Sequence, residues 1–305
     1  MITQSRLAAL SMVAASVFIA VSTFLAKGLA GRFSMPAVDE DIHPLQITAG
    51  RFLAAWILWL AIVLYRRRAF QPIHWQLHVV RTVLGWLTVT CIFWASSKMA
   101  LTDATAISFL TPVVTLALAV LLLKEKVGPV RITTVAIMLT GAMILLRPGT
   151  SAFQPAALIA LTAAVASGFE ALYIKRLSAL EPRTQILFLN NSIGLVIALI
   201  AASVVWIWPS PLQWLLMAGV GLSMAMAQIF FLTSLRDGDA SYVIPFMYST
   251  LVFAGILDYL VFGETTDKAG AAGAIIIVCG AIFLAVREGR RRGNTAASSA
   301  SEDAD

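Results

Sequence analysis

Charge is scarce in this 305-residue chain: Asp, Glu, Lys and Arg make up 12% of it, against 59% hydrophobic residues. That balance excludes a soluble globular domain, which carries about 25% charged residues. Histidine and cysteine are scarcer still, at three and two residues. Cys91 and Cys279 fall inside apolar stretches and read as buried free thiols, with neither a metal spacing nor a disulfide framework. No HExxH sequence occurs, and His43, His74 and His78 all read as loop residues, so a zinc hydrolase has no support. No P-loop occurs either, which removes an ATP-driven pump. No cofactor or metal is expected.

What the chain has is length of apolar sequence. Its mean hydropathy is +0.86, and ten stretches of bilayer length fall near 7–27, 46–65, 79–97, 102–123, 129–146, 156–175, 184–206, 212–235, 240–262 and 268–286. A hydrocarbon core of roughly 30 Å takes about 20 helical residues to cross. In lipid a helix satisfies its own backbone polar groups, so each stretch is expected to be helical. The first, after Arg6, lacks a persuasive cleavage site and reads as a retained helix. The expected fold is an all-α polytopic membrane protein.

Basic residues set the expected orientation. With the N-terminus inside, 16 of the 22 Lys and Arg residues fall on the cytoplasmic side, among them Arg66–Arg68 and Arg81. Lys27, Arg32, Arg51, Lys98, Arg147 and Lys268 fall singly on the other side, which puts both termini in the cytoplasm. The formal charge of +6 is thereby explained by topology, and nucleic acid is not an expected partner. The loop holding Asp39, Glu40 and Asp41 is expected outside, and the tail at 289–305, small and polar, is expected to be disordered.

The chain repeats itself. Leu122-Leu123-Lys124-Glu125-Lys126 closes the fourth stretch and Val261-Phe262-Gly263-Glu264-Thr265 the ninth; Glu125 and Glu264 lie 139 residues apart, as do Gly141 and Gly280. A shared offset argues for a duplicated five-helix unit. Five is odd, so the copies run in opposite senses, as in many secondary transporters.

The stretch ALTDATAISFLTPVVTLALAVLLLKEKV and its partner ASYVIPFMYSTLVFAGILDYLVFGE resemble the EamA branch of the drug/metabolite transporter superfamily. Ala104, Pro112 and Glu125 match in the first half, and Ala240, Pro245 and Glu264 in the second. Lys124 departs from the Gly usual before that glutamate. The resemblance implies a monomer of ten helices in two inverted repeats, 1–147 and 148–288, around a central cavity lined by helices one to four and six to nine. Members carry amino acids, amines, nucleotide-like molecules, vitamins and metallophores.

Polar residues inside the spans mark the candidate pathway, because an intramembrane charge costs about 2.5–3.5 kcal/mol at a helix centre. Glu170 and Asp258 lead, read either as pathway groups or as structural pairs, with Glu170 placed to snorkel toward Lys175. Asn190 and Gln228 bring amides, and the alternative for each is an interhelical hydrogen bond. Tyr173, one turn from Glu170, Tyr248, Trp86 and Trp94 bring rings that hold amphipathic metabolites or merely pack. Pro112 and Pro245 are candidate kinks or gates. Glu125, Glu264, Gly141 and Gly280 read as structural.

These features favour a secondary transporter in the inner (plasma) membrane, exporting an amino-acid-like, amine-bearing or metallophore-type metabolite, with protons as the candidate coupling ion and lipid around it. The alternative is uptake of a vitamin or nucleotide-like compound. An intramembrane enzyme is the remote reading.

Overall fold

The computed structural model describes residues 2–32, 41–66, 70–111, 113–115, 117–118, 129–146, 154–237, 243, 246–283 and 286. Among these there is no strand. Ten helical segments follow in order: α1 (Ile2–Lys27), α2 (Pro44–Arg66), α3 (Trp75–Lys98), α4 (Leu101–Ser108), α5 (Pro129–Leu146), α6 (Ala156–Leu180), α7 (Arg183–Ala202), α8 (Pro211–Asp237), α9 (Ser249–Leu257) and α10 (Lys268–Phe283). Six of them, α1, α2, α3, α6, α7 and α8, are long and apolar enough to cross a bilayer, and the other four are shorter apolar helices.

Proline marks where three of these helices begin. Pro44, Pro129 and Pro211 are the first residues of α2, α5 and α8, where a missing N–H costs nothing because the first-turn donors have no partner within the helix. Two helices end in wide π-type turns. α1 runs on through Gly28–Arg32, where Gly31 takes φ +97°, and α9 runs on through Asp258–Phe262 to Gly263 at φ +62°. These positive φ values suit glycine, which has no Cβ to clash.

The outer surface is apolar, and several charged side chains lie inside an otherwise apolar core. Lys27, Arg51, Arg81 and Asp258 are buried, while Ile200, Leu215 and Leu260 are each about two-thirds exposed or more. Apolar side chains on the outside and charge within are what a lipid solvent selects.

The helices pack in pairs. α1 lies along α8, α3 along α6, α2 along α7, and α4 against α9. α5 meets α10 through glycine: a Cβ on Gly141 would crowd Ile276 and the Gly273 carbonyl, and one on Gly280 would crowd Met138. Small residues let backbones approach where no water drives association. Ala156, Ala157, Ala160 and Ala164 do the same for α6, packing on Ala104 and Ile107 of α4. Ser22 and Ser234 stitch α1 to α8, donating to the carbonyls of Val220 and Ala8 at 3.0 and 2.6 Å.

Several sequence expectations are corrected here. Cys279 is exposed, and only Cys91 is buried. α3 begins at Trp75 rather than near 79, so His78 is a fully buried helical residue and not a loop histidine. Lys27, Arg51 and Arg81, counted above as markers of membrane side, are enclosed within the bundle.

Candidate functional site

Three of the long helices, α2, α3 and α6, each bring one ionisable side chain to the same part of the bundle. Arg51 lies two turns into α2, Arg81 in the second turn of α3, and Glu170 near the middle of α6. Arg81 Nε stands 3.5 Å from Glu170 Oε1, their side chains 7% and 16% exposed. Arg51 lies over the Phe52 ring at 4.7 Å and interacts electrostatically with both other groups. Gly85 makes room for the carboxylate, since a Cβ there would come within 2.7 Å of Glu170 Oε1.

This cluster is incompletely satisfied. Among the described residues, Nε and Nη1 of Arg51 and Nε and Nη1 of Arg81 have no hydrogen-bond partner, and neither do Thr82 Oγ1 and Trp86 Nε1 on the same helix as Arg81. Buried donors are normally paired, and leaving a charged one unpaired is expensive. Two cations and one anion leave a net charge of +1 in a low-dielectric setting.

A second charge cluster is complete. Lys27 Nζ donates to Asp258 Oδ1 at 2.8 Å and to Glu264 Oε2 at 2.5 Å, and lies over the Phe262 ring at 4.9 Å. Asp258 Oδ2 accepts from the backbone N–H of Leu101 at 2.5 Å and of Thr102 at 3.4 Å. Asp258 therefore caps α4, a role usually filled by the residue just before a helix, and the cluster ties α4 to the ends of α1 and α9.

At the other end, Glu181 after α6 binds the start of α3. Its carboxylate accepts from the His74 backbone N–H at 2.8 Å and from Gln185 Nε2 at 2.8 Å, and lies 3.0 and 2.8 Å from His74 Nδ1 and His78 Nε2. Burial pushes this carboxyl up, but the bonds from the His74 backbone and from both imidazoles outweigh it and hold the pKa at about 2.

Of the residues singled out from sequence, Glu170 alone joins the arginine cluster by direct contact. Tyr173 is half-buried one turn along α6, and Gln228 is half-buried on α8. Asn190 is buried on α7 beside Asn191, whose amide donates to the Leu187 carbonyl at 2.8 Å. Trp86 packs with Ala49 and Phe52, whereas Trp94 is more exposed and meets His43 edge-on at 5.3 Å. Tyr248 sits in an apolar core, edge-on to Phe109 at 4.7 Å. Asp258 and Glu264 share Lys27, and Gly141 and Gly280 lie between α5 and α10. Pro112, Pro245, Glu125 and Ala240 lie outside the described residues.

Arg51 and Arg81 were missed by the reading of candidate sites. Both fall within the apolar stretches 46–65 and 79–97, so the cost that drew attention to Glu170 applied equally to them.

Comparison with known proteins agrees with this bundle. A solved crystal structure matches at TM-score 0.61 and 19% identity, covering 93% of this chain and 98% of that one, a likeness of fold. Three curated proteins are similar in sequence. The S-adenosylmethionine uptake transporter of Rickettsia prowazekii is 28% identical, covering 81% of this chain and 84% of that protein. The pseudopaline exporter of Pseudomonas aeruginosa is 25% identical, covering 68% and 73%. The riboflavin transporter of Vibrio cholerae is 28% identical, covering 75% and 79%. The model of the EamA-like transporter family matches residues 6–147 and 154–286. With nearly the whole chain matched in those two stretches, the protein belongs to the EamA-like transporter family, and it is a multi-pass membrane transporter rather than an enzyme.

Proposed function

We propose that this chain is a secondary transporter that exports a small amino-acid-like metabolite across the inner (plasma) membrane. The observation that carries the reading is the Arg51–Arg81–Glu170 cluster, buried among α2, α3 and α6. Buried charge with its donors left unpaired is the arrangement expected along a substrate or ion pathway.

The pathway runs between two inverted five-helix repeats, 1–147 and 148–288. Three observations support this. Shifting every helix by five exchanges the α1–α8 pair with the α3–α6 pair and leaves α2–α7 and α4–α9 unchanged. The first residues of α2 and α7, and of α5 and α10, are each 139 residues apart, the offset of Glu125 and Glu264. Gln46 and Gln185, also 139 apart, make matching two-point bonds with a loop of the other half. Gln46 exchanges bonds of 2.7 and 3.2 Å with the backbone of Ile207, and Gln185 exchanges bonds of 3.1 and 2.8 Å with that of Gln71.

With both termini cytoplasmic, the Lys27–Asp258–Glu264 cluster lies at the outer end and the Glu181 clasp at the inner. Glu170 then serves as the proton-responsive group. The second reading is uptake, favoured by the likeness to the S-adenosylmethionine and riboflavin transporters.

A metabolite profile of cells and medium, with and without the gene, tests the reading. Export predicts that one compound falls in the medium and rises in the cells on deletion; uptake predicts the reverse, and no change contradicts both. In proteoliposomes, Glu170→Gln should abolish most of the dependence of flux on a pH gradient. Unchanged coupling removes Glu170 from that role.

A further inference from the structure

We infer that Arg51 and Arg81 together form the subsite for a carboxylate group of the transported compound, an inference that rests on the transport reading above. Neither arginine stood among the binding candidates read from sequence, and the likeness to transporters of several substrates does not select one.

The chemistry follows from what is left over. Arg51 and Arg81 are 4% and 6% exposed, and each has two N–H nitrogens without a hydrogen-bond partner among the described residues. A guanidinium is always charged and presents donors in a plane that matches a carboxylate. Glu170 reaches Arg81 at 3.5 Å and balances one of the two cations. One positive charge remains, and a single carboxylate cancels it. A phosphate dianion would overshoot to a net negative charge at the same burial. A cationic group would meet two guanidiniums for one carboxylate, so an amine on the substrate belongs elsewhere.

The helix that carries Arg81 holds two further unsatisfied donors. Thr82 Oγ1 is adjacent to Arg81 in sequence, and Trp86 Nε1 is one turn farther along α3; both are buried and unpartnered among the described residues. Each can donate, and indole can only donate. The cluster at Lys27 shows hydrogen bonding carried to completion in this protein, where the ammonium donates to two carboxylates and Asp258 Oδ2 accepts from α4.

The test is thermal unfolding of the purified full-length chain in detergent, titrated with paired probes: L-methionine and its amide, glycine and glycinamide, lactate and lactamide, S-adenosylmethionine and its decarboxylated form, and inorganic phosphate. At least one acid should raise the unfolding temperature while its amide or decarboxylated counterpart does not. Arg51→Gln should weaken that acid's binding about 30-fold or more, as loss of one partner of a buried charge pair does. Arg51→Lys, which keeps the charge and loses the planar donors, should weaken it less and provides a folded comparison should the Gln protein not fold.

Acid and counterpart binding alike, acid binding unchanged in Arg51→Gln, or no acid binding at all would each overturn the assignment. Phosphate binding alone would overturn the carboxylate in favour of a phosphate. The transport reading fails separately: a compound exported in the metabolite profile that carries no acid group sinks this subsite and leaves transport standing. Arg51-dependent acid binding with an unchanged profile does the opposite.

Discussion

The two buried charge clusters of this protein differ in completeness. Around Lys27, one ammonium meets two carboxylates, and the second oxygen of Asp258 is taken up by the first amides of α4. Around Arg51 and Arg81, two guanidiniums stand against a single carboxylate, which Arg81 alone reaches at 3.5 Å, and four nitrogens have no hydrogen-bond partner among the described residues. Burial alone therefore does not mark a binding site in a membrane bundle. A satisfied cluster fastens helices, and an unsatisfied one is built for something that comes and goes.

The sharpest way to break this contrast is to remove a charge from the finished cluster. Lys27→Met leaves Asp258 buried without its cation, and breaking such a pair costs about 3–5 kcal/mol. Thermal unfolding in detergent should register the largest drop of any single change considered. A loss below about 1 kcal/mol, the size of an exposed pair, would show that the cluster does not fasten α1 to α9.

Next in size is Gly85→Ala. The added methyl would sit 2.7 Å from Glu170 Oε1, and overpacking of this kind costs about 1–3 kcal/mol. The carboxylate must also move from Arg81, so flux in proteoliposomes should fall along with stability. Stability lost with flux intact would separate Glu170 from the transport site.

A smaller effect is expected at the Glu181 clasp, and it depends on pH. Folding lowers this carboxyl from its ordinary 4.5 to about 2, so the native state favours the ionised form. Its stabilising contribution is complete above about pH 4.5 and is lost as pH falls toward 2. Unfolding temperatures of the wild-type chain should therefore decline across that window, and Glu181→Gln should flatten the decline. Equal slopes in the two proteins would mean that other carboxyl groups set the acid limit.

The smallest change in stability should come from the unfinished cluster. Arg51→Gln removes a buried cation that has unpaired donors, so the unfolding temperature should stay close to wild type or rise. A drop comparable with that of Lys27→Met would show that Arg51 has a structural partner after all, and would erase the contrast between the clusters.

Much of the fold was legible because a bilayer imposes a length. Long α1, α2, α3, α6, α7 and α8 correspond to six of the ten apolar stretches, and the 139-residue offset appears again in where α2, α7, α5 and α10 begin. The ends were less legible. α3 starts at Trp75 because apolar content marks the lipid-facing part of a helix and not the polar turn before it, which hid His78 and placed Arg81 near a boundary. Of the site, Glu170 was legible as a costly charge, whereas Arg51, Arg81 and Lys27 were absorbed into a count of basic residues by side. That count assumes every cation reaches water, and these three are buried against carboxylates or aromatic rings instead. Pairing across 89 residues, as between Arg81 and Glu170, leaves no local pattern to read.

The central claim is that the unfinished cluster binds what the protein carries. Its most direct test is the dissociation constant of the compound identified by metabolite profiling, measured on the purified wild-type chain, on Arg51→Gln and on Glu264→Gln. Arg51→Gln should weaken binding about 30-fold or more while Glu264→Gln leaves it within about twofold, well under the tenfold that 1.4 kcal/mol represents. Binding lost in Glu264→Gln and kept in Arg51→Gln would contradict the account.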